Sequence, residues 1–316
     1  MNNYKYKLNN EINILSNLVD MENPQRVLYE VRIIISTLFP EFDFKGFNQV
    51  FFDIIRLFRG EFYGYQKCNT EYHDLKHITD TLLAMTRLIH GYLIKNKDKL
   101  SEKSVYLGLL SALMHDTGYI QTLDDTFGTG AKYTLEHISR SILFIEKYFA
   151  QHNYSKDDLE FCKNCLLCTG YSIKLDEIHF SSDEEELLGK MMGTADLLGQ
   201  MSSRDYLEKL LFLYYEFREG NVIGFESELD LLKKTLVFYH SIKEKFTRDF
   251  SNVIQYVIYH FQERWNIDKN LYYEAIEKNI QYLQYILDNH MKNYHDYLRR
   301  SGIAKNLNKK GLYTNG

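Results

Sequence analysis

Two short stretches hold the residue types from which a reactive centre is built. The first is Tyr72-His73-Asp74-Leu75-Lys76-His77, with two histidines four residues apart. The second is Met114-His115-Asp116-Thr117-Gly118, with a histidine next to an aspartate. Spacing by four predicts that His73 and His77 leave one face of a helix, about 6 Å apart at Cβ. His115 and Asp116 fall where a helical pattern gives out near Gly118, so both side chains can turn toward one point. A further carboxylate, Asp196, is embedded in Gly193-Thr194-Ala195-Asp196-Leu197-Leu198. Among such neighbours it is costly unless paired or bound to a metal. Two imidazoles and two carboxylates suit a hydrated octahedral divalent cation with open positions, and one carboxylate can bridge to a second ion.

The elements that must position these residues read almost entirely as amphipathic helices. A short apolar run (Ile12, Leu15, Leu18, Val19) precedes Asn23-Pro24, an N-cap followed by proline at the first helical position. That helix carries Val27, Leu28, Val31, Ile34, Ile35 and Leu38 and closes at Pro40. A run over 50–58 ends at Gly60. The next helix holds His73 and His77 in its first turns and Ile78, Leu82, Met85 and Leu88 on one face. Ser101 caps 102–114, Thr134 caps 135–150, and Ser155 caps a helix ending at Gly170. Ser182 and Glu185 form a capping box for the helix presenting Asp196. Further helices are expected over 206–217, 227–246, 252–264 and 271–298. No alternating strand pattern persists, so the fold class is all-α, a multi-helix bundle. Residues 1–65 read as N-terminal helices, 66–200 as the metal-binding core, 201–299 as helices completing the pocket and 300–316 as a flexible tail, all within one compact domain.

Composition narrows the function. The 316 residues are 45% hydrophobic, enough to bury a core without disulfides, and only two prolines interrupt the helices. A net charge of −5 without a basic stripe argues against nucleic acid as a partner. No apolar run is long enough for a membrane span, and no signal-peptide core follows Met1. Four cysteines without a secretory signal read as reduced thiols, which places the protein in the cytoplasm.

In order and separation, the candidate residues resemble the HD-domain metal-dependent phosphohydrolase superfamily, and within it the class I cyclic-nucleotide phosphodiesterases. The family's Tyr-His-Asn with a second His four residues after the first is matched by Tyr72-His73-Asp74 and His77. Its His-Asp is matched by His115-Asp116, and its Ala-Asp by Ala195-Asp196. Its Leu-Glu-Asn-His is echoed in Leu135-Glu136-His137, with the histidine one place early. The match covers residues 70–200. The resemblance implies that His77, His115, Asp116 and Asp196 hold one metal and that Asp116 bridges to a second, the ions being Mg, Mn, Zn or Fe. A hydroxide held between the ions would attack phosphorus, with His73 as general acid. His137 would lie near the second metal or the phosphate. The expected partner is then a small-molecule phosphoester, with a cyclic nucleotide as the leading substrate, and oligomerisation is left open. Three departures stand out: Asp74 for the family's Asn, Tyr119 where the family has another His, and no glutamine assignable to a purine clamp in the C-terminal helices.

Other readings compete. Some HD-domain proteins are di-iron oxygenases, which use more histidines than His137 alone supplies here, and a non-catalytic metal-binding signalling module would not need His73. The remaining histidines, among them His90 and His260, read as packed or solvated. Cys162, Cys165 and Cys168 have an iron–sulfur-like spacing but lie inside a helical pattern, so they read as buried small residues. Gly128-Thr129-Gly130-Ala131-Lys132 lacks P-loop spacing and follows no strand, so it reads as a connector, from which Lys132 is placed to reach a phosphate. The aromatic stripe over 210–217 reads as helix packing.

Overall fold

The structure, a computed structural model, describes residues 14–96, 100–170 and 173–303. Ile12 of the first apolar run and residues 304–316 of the expected tail lie outside them. The described residues are mostly helical, with one isolated bridge between Tyr65 and Thr122 as the sole β-pairing among them.

Sequence chemistry sets the helix ends. Helix α1 (Pro24–Leu38) begins at Asn23, whose side chain accepts the Gln25 N–H. Helix α2 (Phe44–Arg59) stops at Gly60, whose φ of 76° is the left-handed turn that glycine adopts without a Cβ penalty. Helix α3 is Leu75–Lys95 and α4 is Glu102–Met114, the latter capped by Ser101. Helix α5 (His137–Gln151) starts two residues later than expected. Thr134 does not cap it; its hydroxyl bonds back to the Ala131 carbonyl at 2.7 Å, closing the short 3-10 turn Gly130–Tyr133. Helix α6 (Lys156–Leu167) has a full capping box between Ser155 and Asp158. Helix α7 (Asp183–Met201) has half of one. Ser182 accepts the Glu185 N–H, but the Glu185 carboxylate turns instead to Ser181 and Asn164. Helices α8 (Tyr206–Glu219), α9 (Glu228–Arg248), α10 (Tyr256–Trp265) and α11 (Leu271–Asn289) follow.

Helix α3 is the axis of the bundle. It packs against α1, α4, α7 and α10, and every residue from His77 to Gly91 is buried. Gly91 explains how close α10 comes: a Cβ there would lie 1.8 Å from the Tyr256 carbonyl oxygen. The aromatic stripe of α8 packs inward through Tyr206, Leu210, Leu211, Phe212 and Tyr214, as expected. The cysteines are free thiols, and Cys162, Cys165 and Cys168 are buried. No helix among the described residues is long and apolar enough to cross a membrane.

The helix expected over 271–298 breaks at His290, where the backbone (φ −136°, ψ 23°) leaves the helical region before a 3-10 segment, Met291–Asp296. The break lets Tyr294 and His295 reach Glu228 at 2.8 and 2.7 Å. The stretch expected as a flexible tail begins with packed residues. Ile303 is buried, and the Arg300 backbone N–H donates to Glu208 at 3.1 Å.

Candidate metal centre

Four donor atoms from three helices converge. His77 projects from the first turn of α3, and its Nε2 lies 3.1 Å from His115 Nε2, 3.3 Å from Asp116 Oδ2 and 3.1 Å from Asp196 Oδ1. His115 Nε2 lies 3.4 Å from Asp116 Oδ2 and 3.5 Å from Asp196 Oδ1. All four side chains are buried. His115 still has helical dihedrals at the end of α4, whereas Asp116 (φ −108°, ψ 12°) has left them. That change of backbone direction lets adjacent residues aim at one point. Ser141 of α5 holds the corner, donating to the His115 carbonyl at 2.6 Å and accepting the Gly118 N–H at 2.8 Å. Gly118 is required for this approach, since a Cβ on it would sit 2.0 Å from the His137 carbonyl oxygen.

The donor set fits a cation. His115 Nδ1 donates to the Ala112 carbonyl at 2.9 Å, which leaves the Nε2 lone pair facing the cluster. Asp116 Oδ2 is buried without a hydrogen-bond partner. Without a metal, burial would drive His77 and His115 neutral, but Asp116 and Asp196 overcome it and hold both imidazoles above the usual range. Against the same burial, the two histidines hold both carboxylates below theirs. Two close imidazole nitrogens between two carboxylates are a nitrogen–oxygen donor set that a divalent ion can satisfy at once. This buried His and Asp cluster could bind a metal ion.

Beside it stands a second group. His73 is not on the helix, as its spacing from His77 predicted. Asp74 takes the N-cap position of α3, accepting the His77 N–H at 2.9 Å, so the helix begins after His73. The same cap accounts for Asp74, whose other oxygen pairs with Lys209 at 2.7 Å. His73 Nδ1 bonds Glu216 Oε2 of α8 at 2.7 Å, and its Nε2 lies 3.4 Å from the Tyr119 hydroxyl. Glu216 Oε1 also accepts the backbone N–H groups of Glu71 and Tyr72, each at 2.7 Å, fixing the loop that carries His73. Tyr119 stacks on both His73 and His137, with ring centroids 4.3 and 4.8 Å apart. Burial, with Asp116 and Glu216 nearby, pushes its phenol well above the usual range. His137, lowered by burial, has Nε2 3.8 Å from Asp116 Oδ1, the oxygen other than the one that meets His77 and His115.

Lys132 is engaged elsewhere. Its ammonium is held by Asp125 and, at 2.5 Å, by the Phe127 carbonyl, so it braces its own loop rather than the histidine cluster. The loop is tied down by Glu219, the last residue of α8, which accepts from Thr129 Oγ1 at 2.6 Å and from the Thr129 N–H.

Sequence reasoning missed Glu216 and Gln200. Glu216 lies in the aromatic stripe read as packing, although, like Asp196, it is a carboxylate among large apolar neighbours. Gln200, one turn after Asp196, donates to Asp196 Oδ1 at 2.8 Å and accepts from the Tyr72 hydroxyl at 3.1 Å.

The protein is thus an all-α bundle with a buried His/Asp cluster drawn from the start of α3, the end of α4 and the body of α7. The chain belongs to the Npun_R2479-like family, whose model matches residues 123–281, half of its length. That span includes His137, Asp196 and Glu216 and begins after Tyr119. No curated protein matches the chain.

Proposed function

We propose that the protein is a metal-dependent phosphohydrolase of the HD-domain kind, acting on a small phosphodiester such as a cyclic nucleotide. The observation that carries the reading is a buried His/Asp cluster that could bind a cation, set beside a histidine backed by a carboxylate. His77, His115, Asp116 and Asp196 would hold the cation, and Asp116 Oδ1 with His137 would face a second. A divalent cation there supplies Lewis acidity to a phosphoryl oxygen and lowers the pKa of water.

The chain's own residues supply the proton handling. With Nδ1–H directed at Glu216, His73 is held in one tautomer, and the carboxylate stabilises the imidazolium that a general acid needs. Its Nε2 is then the atom that gives a proton to the leaving oxygen. Tyr119 and His137 wall this side of the centre, and their stacked rings keep His73 Nε2 in place. A structural metal site needs neither the His73–Glu216 pair nor its three-bond anchoring, which favours turnover over a purely structural role.

The test is a phosphoester panel with Mn²⁺ or Mg²⁺ covering cyclic nucleotides, dinucleotides, nucleoside monophosphates and an aryl diester. Asp116→Ala should abolish both metal content and hydrolysis. His73→Ala should keep the metal and lose about 10²–10⁴-fold in turnover. Wild-type turnover by His73→Ala refutes the assignment, and oxygen-dependent turnover by iron-loaded protein would move the chemistry to the oxygenase class.

A further inference from the structure

Each histidine of the centre except one has an acceptor for its Nδ1. His115 has the Ala112 carbonyl, His137 the Thr134 carbonyl at 2.7 Å, and His73 has Glu216. His77 is the exception, since its Nδ1 is buried without a hydrogen-bond partner. One turn further along α3 lies Asp80, 1% exposed, whose Oδ2 is held by Lys76 at 2.5 Å. Its Oδ1 is likewise buried and without a partner. Residues three apart on a helix share a face. His77 and Asp80 line the same narrow cleft, together with Tyr72, Gln200, Ser203 and Lys209.

We propose that Asp80 is the positioning residue for His77, accepting its Nδ1–H across this cleft through one water or after a small turn of the ring, since the two atoms are not in hydrogen-bond contact. The inference rests on the metal reading above and extends it to the group that orients a ligand. An imidazole can offer its Nε2 lone pair to a cation only if the proton sits on Nδ1, and a buried N–H needs an acceptor. Asp80 Oδ1 is an unused acceptor on the correct face, and Lys76 fixes it from behind. The chain His77–Asp80–Lys76 would lock the tautomer and ring orientation and make Nε2 a stronger donor, as outer carboxylates do for ligating histidines. It would do for His77 what the Ala112 carbonyl does for His115, with a charged acceptor in place of a neutral one.

The test uses the full chain and Zn²⁺. Asp80→Asn keeps the shape and removes the charge, and Zn²⁺ affinity by competition titration should fall roughly 10–100-fold. In the ¹⁵N-histidine spectrum of the Zn²⁺-loaded wild type, His77 should be protonated at Nδ1, with its proton shifted downfield by a charged acceptor. That shift should be lost in Asp80→Asn while the His115 signal stays put, which a general loosening of the fold would not produce. Unchanged affinity in Asp80→Asn overturns the inference and leaves the metal reading intact, whereas wild type that binds no Zn²⁺ overturns both. Should Asp80→Asn fail to fold, the wild-type spectrum decides, because a His77 protonated at Nε2 or lacking the downfield proton refutes the role.

Discussion

Replacing Glu216 by glutamine tests the proton-handling role proposed for His73 without touching a proposed metal donor. Glu216 accepts three hydrogen bonds, two from backbone N–H groups on Oε1 and one from His73 on Oε2. Glutamine keeps a carbonyl oxygen for the two backbone donors, so the loop over 71–73 should hold. The mismatch falls on His73, where an amide NH₂ now meets the imidazole Nδ1. If Nδ1 keeps its proton, two donors face each other in a buried place, at a cost of about 1–3 kcal/mol. If the proton moves to Nε2, Nδ1 accepts from the amide, and the imidazolium loses its counter-charge. Either way the acid form of His73 is disfavoured, and the loss is bounded by what general acid catalysis contributes, about 10²–10⁴-fold in kcat. The assay is steady-state hydrolysis of whichever phosphoester the panel identifies, with metal content measured on the same samples. Glu216→Gln should retain its metal, lose kcat within that range, and add little when combined with His73→Ala, because the two act as one unit. Wild-type kcat, or loss of the metal, refutes the reasoning.

Two further outcomes follow from the geometry. Gly118→Ala puts a methyl group 2.0 Å from the His137 carbonyl and forces α5 away from the Asp116 corner; denaturant unfolding should show a loss of about 1–3 kcal/mol, and metal affinity should fall with it. His90 and His260 are buried with their Nδ1 atoms 3.2 Å apart, and burial, aided by Arg264, lowers His90 to about 4. Because the folded state resists protonation, the pair's contribution is intact above the unfolded value near 6.5 and is lost as pH falls from there toward about 4. For His90 this amounts to about 3 kcal/mol. Unfolding free energies for wild type and His90→Asn should therefore converge as pH falls through that window, and parallel curves would refute it.

Most of the fold was legible because helices announce themselves locally. Apolar spacing with Asn23, Ser101, Ser155 and Ser182 at the starts placed α1, α4, α6 and α7 closely. The errors came where a side chain chose between two local partners. Asp74 capped α3 rather than sitting inside it, Thr134 closed a 3-10 turn, and no proline or glycine marked the break at His290. At the site, residues near in sequence or carrying an anomalous charge were visible: His77, His115, Asp116 and Asp196. Glu216 carried the same anomalous charge but was absorbed into an aromatic stripe that reads as packing, and its partner His73 lies 143 residues away. The orientation of Lys132 was equally unreadable, since its partner Asp125 is one of several acids in reach of a flexible side chain.

The double grip of α8, through Glu216 and Glu219, gives the centre an order of manufacture. The four candidate donors are all synthesised once the ribosome has passed Asp196, but the acceptor that orients His73 comes 20 residues later, and Glu219 three residues after that. Counted from His73, the wait is 143 residues, roughly 7–30 s at 5–20 residues per second. Only over the last 20 of those residues, roughly 1–4 s, does a nascent chain hold the complete His/Asp cluster with His73 unanchored. The His/Asp cluster and the His73–Glu216 pair are thus separable in time, and translation delivers the anchor of His73 last.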